Sequence, residues 1–224
     1  EHVHVFLVDL LYNKVSWEGG HMYFQYGEKE VAYLKSRDHD LAKVIDRLGH
    51  LDRPVNHDLL SALVYHMIGQ QISTKAHHTI WQRMNNVLGN IDAKSLLEAG
   101  REQIQSFGLT FRKTDHILNL AQKVNDHEIQ LEAFPYQSDE VIIQTLTALP
   151  GIGIWTAQML LLHGLERMDV LSYHDLAILR GMRLVYQCPK IDKPQFDKYR
   201  ARLSPYGSVA SIYFWAVASE NKGK

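Results

Sequence analysis

Two features of this chain have residue types and a spacing that could do chemistry: a glycine turn able to hold an anion, and an aspartate beyond it. The turn is Leu149-Pro150-Gly151-Ile152-Gly153, and Asp175 lies 22 residues after its last glycine. Apolar residues at helical spacing flank the turn, so it joins two helices. The second helix begins with unpaired amides at its positive end. Such a helix pair can hold one phosphate of a nucleic acid without reading a base.

Asp175 has two interpretations when it is read from the residues alone. It directly precedes Leu176-Ala177-Ile178-Leu179 and therefore fits the N-cap of a helix. It could instead be a catalytic carboxylate, and the two roles can coexist. The residues by themselves favour the cap. Asp169, six residues earlier, is the alternative carboxylate, and we interpret it as a loop or capping residue.

Several motifs in the same order make the chain recognisable. LPGIGIWTAQMLLLHG followed by DVLSYHDLAILR resembles the helix-hairpin-helix (HhH-GPD) DNA glycosylases, and within them the bacterial 3-methyladenine DNA glycosylase II branch. GQQIS at 69–73, FGLTFRK at 107–113 and PYGS…YFW at 205–215 extend the resemblance over most of the chain from about Met22 onward. LPGIG alone also occurs in DNA-binding hairpins without catalytic activity, so the combination carries the argument.

The resemblance implies that Asp175 is catalytic. Breaking an N-glycosidic bond leaves an oxocarbenium-like sugar, which a neighbouring anion stabilises. The implied activity is excision of alkylated purines such as 3-methyladenine or 7-methylguanine, which leave readily because they are already cationic. The alternatives are a glycosylase for another damaged base, such as hypoxanthine, and a non-catalytic hairpin module that only binds DNA.

Trp155 indicates the sub-class of glycosylase. In relatives that also cut the strand, a lysine nucleophile occupies the second position after the turn and forms a Schiff base with the sugar. Here Ile154 and Trp155 follow Gly153. The resemblance therefore implies a monofunctional hydrolase that leaves an abasic site. Simple core packing is the alternative role for Trp155, and it is compatible with lining a base pocket.

A flipped base needs a slot, and the duplex needs a side chain to fill the gap. By resemblance, Trp215 is the first stacking candidate and Trp155 the second, with core packing nearly as well supported for Trp215. Met159 stands where a relative carries an aromatic residue, and His174 adjoins the catalytic position. Gln71, in the GQQIS turn, is the predicted plug. The remaining predicted DNA-binding residues belong to the hairpin: Gly151, Ile152, Gly153 and Thr156.

Metal and cofactor chemistry has little support in the sequence. The thirteen histidines show no HExxH or other paired ligand spacing, which argues against a metal-dependent hydrolase. A single cysteine, Cys188, excludes a four-cysteine iron–sulfur cluster. By resemblance, the backbone carbonyls of Thr147, Leu149 and Ile152 could hold a structural Na⁺ or K⁺. We expect no other cofactor.

Composition predicts an ordinary globular protein. The 24 basic and 25 acidic residues give a net charge of −1, so any DNA-binding face is local and non-specific affinity is modest. No apolar run approaches the roughly 20 residues of a membrane span. We expect a cytoplasmic monomer whose partner is double-stranded DNA containing a damaged base.

The chain after Met22 is predicted to be all-α, with Ser73 and Thr110 as helix caps and 125–139 as its one long connection. The resemblance implies a two-layer fold with a DNA-binding cleft between the layers. Residues 55–165 would form a helical barrel that ends in the hairpin, and 22–54 with 166–224 a second helical domain. Residues 1–21 end in Gly19-Gly20-His21, like a vector junction, and are interpreted as a vector-derived or flexible leader rather than a native extension.

Overall fold

The computed structural model describes residues 22–220, and the predicted leader at 1–21 lies outside them. Helices dominate this part of the chain, which contains one isolated β-bridge, between Tyr23 and Pro54. The helices are α1 (Glu28–Arg37), α2 (His39–Leu48), α3 (Leu59–Gly69), α4 (Thr74–Leu88), α5 (Ala93–Ser106), α6 (Phe111–Asn125), α7 (Asp139–Thr147), α8 (Ile154–His163), α9 (Leu176–Val185), α10 (Lys193–Leu203) and α11 (Gly207–Glu220). The all-α prediction is confirmed.

Local sequence signals account for most helix boundaries. The hydroxyls of Ser73 and Thr110 accept hydrogen bonds from the amides of Ala76 and Lys113, so both predicted caps are confirmed. The predicted long connection at 125–139 contains a 3₁₀ helix, Leu131–Tyr136, which the sequence pattern does not predict. None of the described helices has the length and apolar character required to cross a membrane.

The described residues fall into two compact units. We call Asn56–Leu165 the hairpin unit, and 22–55 together with 166–220 the aspartate unit. Within the hairpin unit, α3 and α8 pack on each other and are buried almost all round. Helices that are apolar on every face belong in a core. The amide of Asn56 donates to the carbonyl of His163, which fixes the start of the unit against the end of α8.

The aspartate unit is organised by the packing of α9 on α11. A side chain at Gly181 would place its Cβ 2.0 Å from the carbonyl oxygen of Phe214, so only glycine permits this approach. Asp175 lies at the N-terminus of α9, and Trp215 lies on α11. The close contact between the two helices therefore fixes two of the predicted site residues within one unit.

Candidate DNA-binding and catalytic site

The predicted hairpin consists of α7, a tight turn and α8. The amide of Ile152 donates to the carbonyl of Leu149 at 3.2 Å, which closes the turn. Gly153 is the N-cap of α8 and is exposed, with nothing within 4 Å of the place where a Cβ would stand. The first amides of α8 have no acceptor within the helix. Because the Ile152 amide is used inside the turn, it is not available for the predicted anion site, whereas the amides at Gly153 and the start of α8 are.

Gly151 allows the turn to lie against α6. Its φ of +82° is in the left-handed region, and an added Cβ would stand 2.3 Å from Nδ1 of His116. Both observations require glycine at this position. Thr156 is buried at 1% exposure, and its hydroxyl accepts a hydrogen bond from Nε2 of Gln70 at 2.8 Å. Any contact of Thr156 with DNA would therefore come from its backbone amide.

The turn that carries Gln71 lies between α3 and α4. Gln71 is exposed and adopts φ +58°, a conformation that non-glycine residues rarely take. Its neighbour Gln70 is partly buried and donates from Nε2 to the carbonyl of Gly151 at 2.9 Å, as well as to Thr156. The predicted plug thus extends from a turn whose preceding residue is bonded to the hairpin.

His77 packs under the same turn and gives the unit a pH-dependent element. Nε2 of His77 is 2.8 Å from the carbonyl of Tyr65, and burial lowers the pKa of His77 to about 4. As the pH falls, the unfolded chain takes up this proton first, so stability present above pH ~6.5 is lost toward pH ~4. We expect the free energy of unfolding to fall by about 1–2 kcal/mol from His77 between pH ~7 and ~5.

Denaturant titrations at both pH values measure this loss. His77→Gln is the control, because an amide can still donate to the Tyr65 carbonyl but does not titrate. The variant should lose correspondingly less stability on acidification than the parent protein. Equal losses in both proteins would assign the pH dependence to other groups.

Asp175 is the N-cap of α9. Its Oδ1 accepts hydrogen bonds from the amides of Ala177 and Ile178, both at 2.9 Å, and the residue is only 6% exposed. The capping interpretation is therefore confirmed. The two amide hydrogen bonds at the start of α9 hold the carboxylate in one orientation. A fixed, buried anion is also what stabilisation of a developing sugar cation requires.

Asp169, the alternative carboxylate, is occupied by structural contacts. Its Oδ1 accepts from Nη1 of Arg200 at 2.7 Å and from the amide of Gly207 at 3.0 Å, and its Oδ2 accepts from the hydroxyl of Ser204 at 2.7 Å. Arg200 also donates to the Asp169 carbonyl. These bonds hold the start of α11, as expected for a loop or capping residue.

The predicted stacking residues are distributed over both units. In the aspartate unit, Trp215 is 8% exposed and carries the guanidinium of Arg53 4.4 Å above its ring, so one face of the indole is already covered by a cation. In the hairpin unit, Trp155 is half-buried and meets the ring of His66 edge-on at 6.0 Å. The roles of both tryptophans toward a base remain predictions.

Met159 and His174 occupy opposite environments. Met159 is 2% exposed, inside α8, where it fills the core of the hairpin unit. His174 is exposed, and its amide donates to the hydroxyl of Ser172. Met159 could therefore influence a bound base only indirectly, through the neighbours on which it packs. His174 is exposed to solvent and is adjacent to Asp175 in the chain.

The predicted cation ligands are chemically suitable. The carbonyls of Thr147, Leu149 and Ile152 belong to the last residue of α7 and the turn, where helix carbonyls lack intrahelical partners. Oxygen donors at the negative end of a helix suit a hard monovalent cation. The Leu149 carbonyl already accepts one bond, from Ile152, and retains a second lone pair. Within 22–220, no group of three or more His, Cys, Asp or Glu side chains could hold a metal ion.

Three side chains around the hairpin received no role from the sequence. Lys113 donates from Nζ to the carbonyls of Ile68 and Gln70, and His116 packs on Gly151. Gln70 bonds to the hairpin. Lys113 and Gln70 lie inside the FGLTFRK and GQQIS motifs, which was the only signal available for them. His116 has none, because nothing in its local pattern distinguishes it from a surface helix residue.

Comparison with known proteins identifies the superfamily to which the chain belongs. The family model described as HhH-GPD superfamily base excision DNA repair protein matches residues 64–205. The chain belongs to this superfamily, as the sequence motifs had predicted.

Relatives within that class carry more particular names. The DNA-3-methyladenine glycosylase of Saccharomyces cerevisiae is 30% identical over 201 residues, covering 73% of this chain and 68% of its own. DNA-3-methyladenine glycosylase 1 of Schizosaccharomyces pombe is 29% identical over 161 residues, covering 70% of this chain and 71% of its own. A solved S. pombe 3-methyladenine DNA glycosylase in complex with abasic DNA matches with a TM-score of 0.76 at 27% identity, over 84% of this chain and 95% of that one.

Proposed function

We propose that this protein is a monofunctional DNA glycosylase that hydrolyses the N-glycosidic bond of alkylated purines in double-stranded DNA. The observation that carries the proposal is Asp175, a buried carboxylate held by two backbone amides 22 residues after the hairpin, in a chain of a base excision repair family. The relatives named as DNA-3-methyladenine glycosylases support the lesion class.

One carboxylate is enough for this substrate class. An anion ~4 Å from the developing sugar cation contributes about 4 kcal/mol at an effective dielectric of ~20. That amount is small beside the barrier for releasing a normal, neutral base. An alkylated purine already carries positive charge and leaves as a neutral base. A positioned Asp175 with water as the nucleophile therefore suffices, and no cofactor is needed for the bond to break.

DNA is held by the backbone rather than by surface charge. The amides at Gly153 and the start of α8 bind a phosphate, which is consistent with a net charge of −1. A role in holding the flipped base is proposed for Trp215 and His174 of the aspartate unit, and separately for Trp155 and Met159 of the hairpin unit, with Gln71 as the side chain that fills the gap in the duplex. A Na⁺ or K⁺ on the hairpin carbonyls would act structurally. The protein works as a monomer in the cytoplasm.

Base release from duplex oligonucleotides that each carry one defined lesion tests the proposal. Release of 3-methyladenine and 7-methylguanine, ahead of hypoxanthine and undamaged purines, is the expected order. Preferential release of hypoxanthine would show that the protein is a glycosylase for a different damaged base. Tight binding without release of any base would show that it is a non-catalytic DNA-binding module.

We expect excision without strand cleavage, because Trp155 occupies the position of a lysine nucleophile. Lys113 directs its Nζ at the carbonyls of Ile68 and Gln70 and is thereby held as a hydrogen-bond donor. Product DNA should break only after alkali or heat, and borohydride should trap no protein–DNA adduct. Efficient trapping would show that another lysine acts as a nucleophile.

Gln71→Ala should reduce excision from duplex DNA far more than from single strands. Only a duplex has a gap to fill when a nucleotide turns out of the stack. The exposed side chain makes few contacts to lose on truncation, so folding should be unchanged. Single-turnover excision rates on matched duplex and single-stranded oligonucleotides measure the effect. Equal losses on both would make Gln71 a structural residue of the turn.

A further inference from the structure

The end of α3 is held by a side chain from α6. Lys113 donates from Nζ to the carbonyls of Ile68 and Gln70, both at 2.9 Å. These oxygens lie at the negative end of the α3 dipole, where a cation is stabilising. Lys113 is partly buried, and this burial lowers its pKa. A half-buried lysine that spans the residues just before Gln71 determines the path by which the chain leaves α3.

A second contact joins the same turn to the hairpin. Gln70 presents its carbonyl to Lys113 and its side-chain amide to the Gly151 carbonyl and the Thr156 hydroxyl. All of these contacts lie within the hairpin unit. The turn that carries the plug and the turn that binds phosphate are therefore bonded to each other through one residue.

Helix α6 also supports both turns. His116 follows Lys113 by three residues and so lies on the same face of the helix. Its ring packs against Gly151 so closely that a Cβ there would overlap it. One face of α6 thus contacts the turn that carries Gln71 through Lys113, and the hairpin through His116. A change in the position of either turn has to move a shared support.

We propose that Lys113, acting with Gln70, is a positioning residue for base flipping: it holds Gln71 at a fixed place relative to the phosphate-binding hairpin. The proposal rests on the proposed function. Gln71 keeps its left-handed backbone because the residues on either side over-determine it: Gln70 is bonded to Gly151, Thr156 and Lys113, and Ser73 caps α4. A plug fills a gap in the stack only if the phosphates around that gap are gripped at the correct distance.

The test compares Lys113→Met, which removes the donor, with Lys113→Arg, which can still donate to two carbonyls. Lys123→Met is the matched control, because Lys123 lies on the same helix but forms an ion pair with Glu128. Two readouts are measured: the ratio of excision rates on duplex and single-stranded DNA, and the affinity for a duplex containing a tetrahydrofuran abasic site relative to an undamaged duplex. The second readout does not depend on catalysis.

Lys113→Met should lower both ratios by about tenfold or more, since small misplacements of positioning groups have effects of this size. Lys113→Arg should restore most of the loss, and Lys123→Met should leave both ratios unchanged. In a Gln71→Ala background, Lys113→Met should have little further effect on either ratio, because the plug through which it acts is already absent.

Equal losses on duplex and single-stranded DNA, or full additivity with Gln71→Ala, would overturn the positioning role and leave Lys113 as a structural lysine. Failure of the proposed function would look different. The parent protein would release no base from any lesion, while its preference for the abasic duplex and the effect of Lys113→Met on that preference would remain.

Discussion

Asp175→Asn should lower excision of an alkylated purine from duplex DNA by at least roughly a few hundred-fold, the usual cost of losing one preorganised electrostatic group. In the proposed mechanism the substitution removes the anion that stabilises the sugar cation, while the new amide oxygen can still accept from Ala177 and Ile178. Single-turnover rates at saturating protein measure the effect. For hypoxanthine, a poorer leaving group, the loss should be greater.

Folding and DNA binding should survive in Asp175→Asn, because the cap is kept and the proposed phosphate site is formed by the hairpin amides rather than by Asp175. Asp169→Asn serves as the contrasting variant. Its carboxylate bonds to Arg200, Ser204 and Gly207, so it should lose stability and retain turnover in the folded fraction. Near-normal turnover of Asp175→Asn, together with an inactive but folded Asp169→Asn, would show that Asp169 and not Asp175 is the catalytic aspartate.

Gly151→Ala should affect both stability and DNA binding. The φ of +82° disfavours alanine, and the new Cβ would meet the His116 ring, so the free energy of unfolding should fall by about 3 kcal/mol. Relief of the overlap moves the hairpin away from α6, and affinity for duplex DNA should drop by about tenfold or more. Denaturant unfolding and fluorescence anisotropy with a labelled duplex measure the two losses.

Alanine substitutions at two other glycines separate the contribution of backbone strain from that of the overlap with His116. Gly89 has a φ of +73° but open space around it, so Gly89→Ala should cost only about 1 kcal/mol, from backbone strain. Gly153 has neither a positive φ nor a neighbour within 4 Å, so Gly153→Ala should leave stability intact and weaken only phosphate binding. If Gly151→Ala lowered the free energy of unfolding no more than Gly89→Ala does, the contact with His116 would contribute nothing to the destabilisation.

The parts of the site that the sequence predicted are those whose geometry is local. The LPGIG hairpin, the cap at Asp175 and the caps at Ser73 and Thr110 each depend on residues two to four positions apart, and the structure has all of them. A helix end is set by its own hydrogen-bonding groups, so local residue types are sufficient to place it. The family resemblance followed from several such local motifs in a fixed order.

What only the tertiary structure decided is how these motifs are held. Gln70 bonds to Gly151 across 81 residues, Lys113 reaches Gln70 across 43, and Arg200 reaches Asp169 across 31. The burial of Thr156 and the cation over Trp215 are equally invisible in the local pattern. Periodicity and capping signals describe which face of a helix is apolar, but they do not state which distant side chain meets it. That pairing is selected by the simultaneous packing of all the helices in a unit, and it determines where Gln71 and the backbone amides of the hairpin lie.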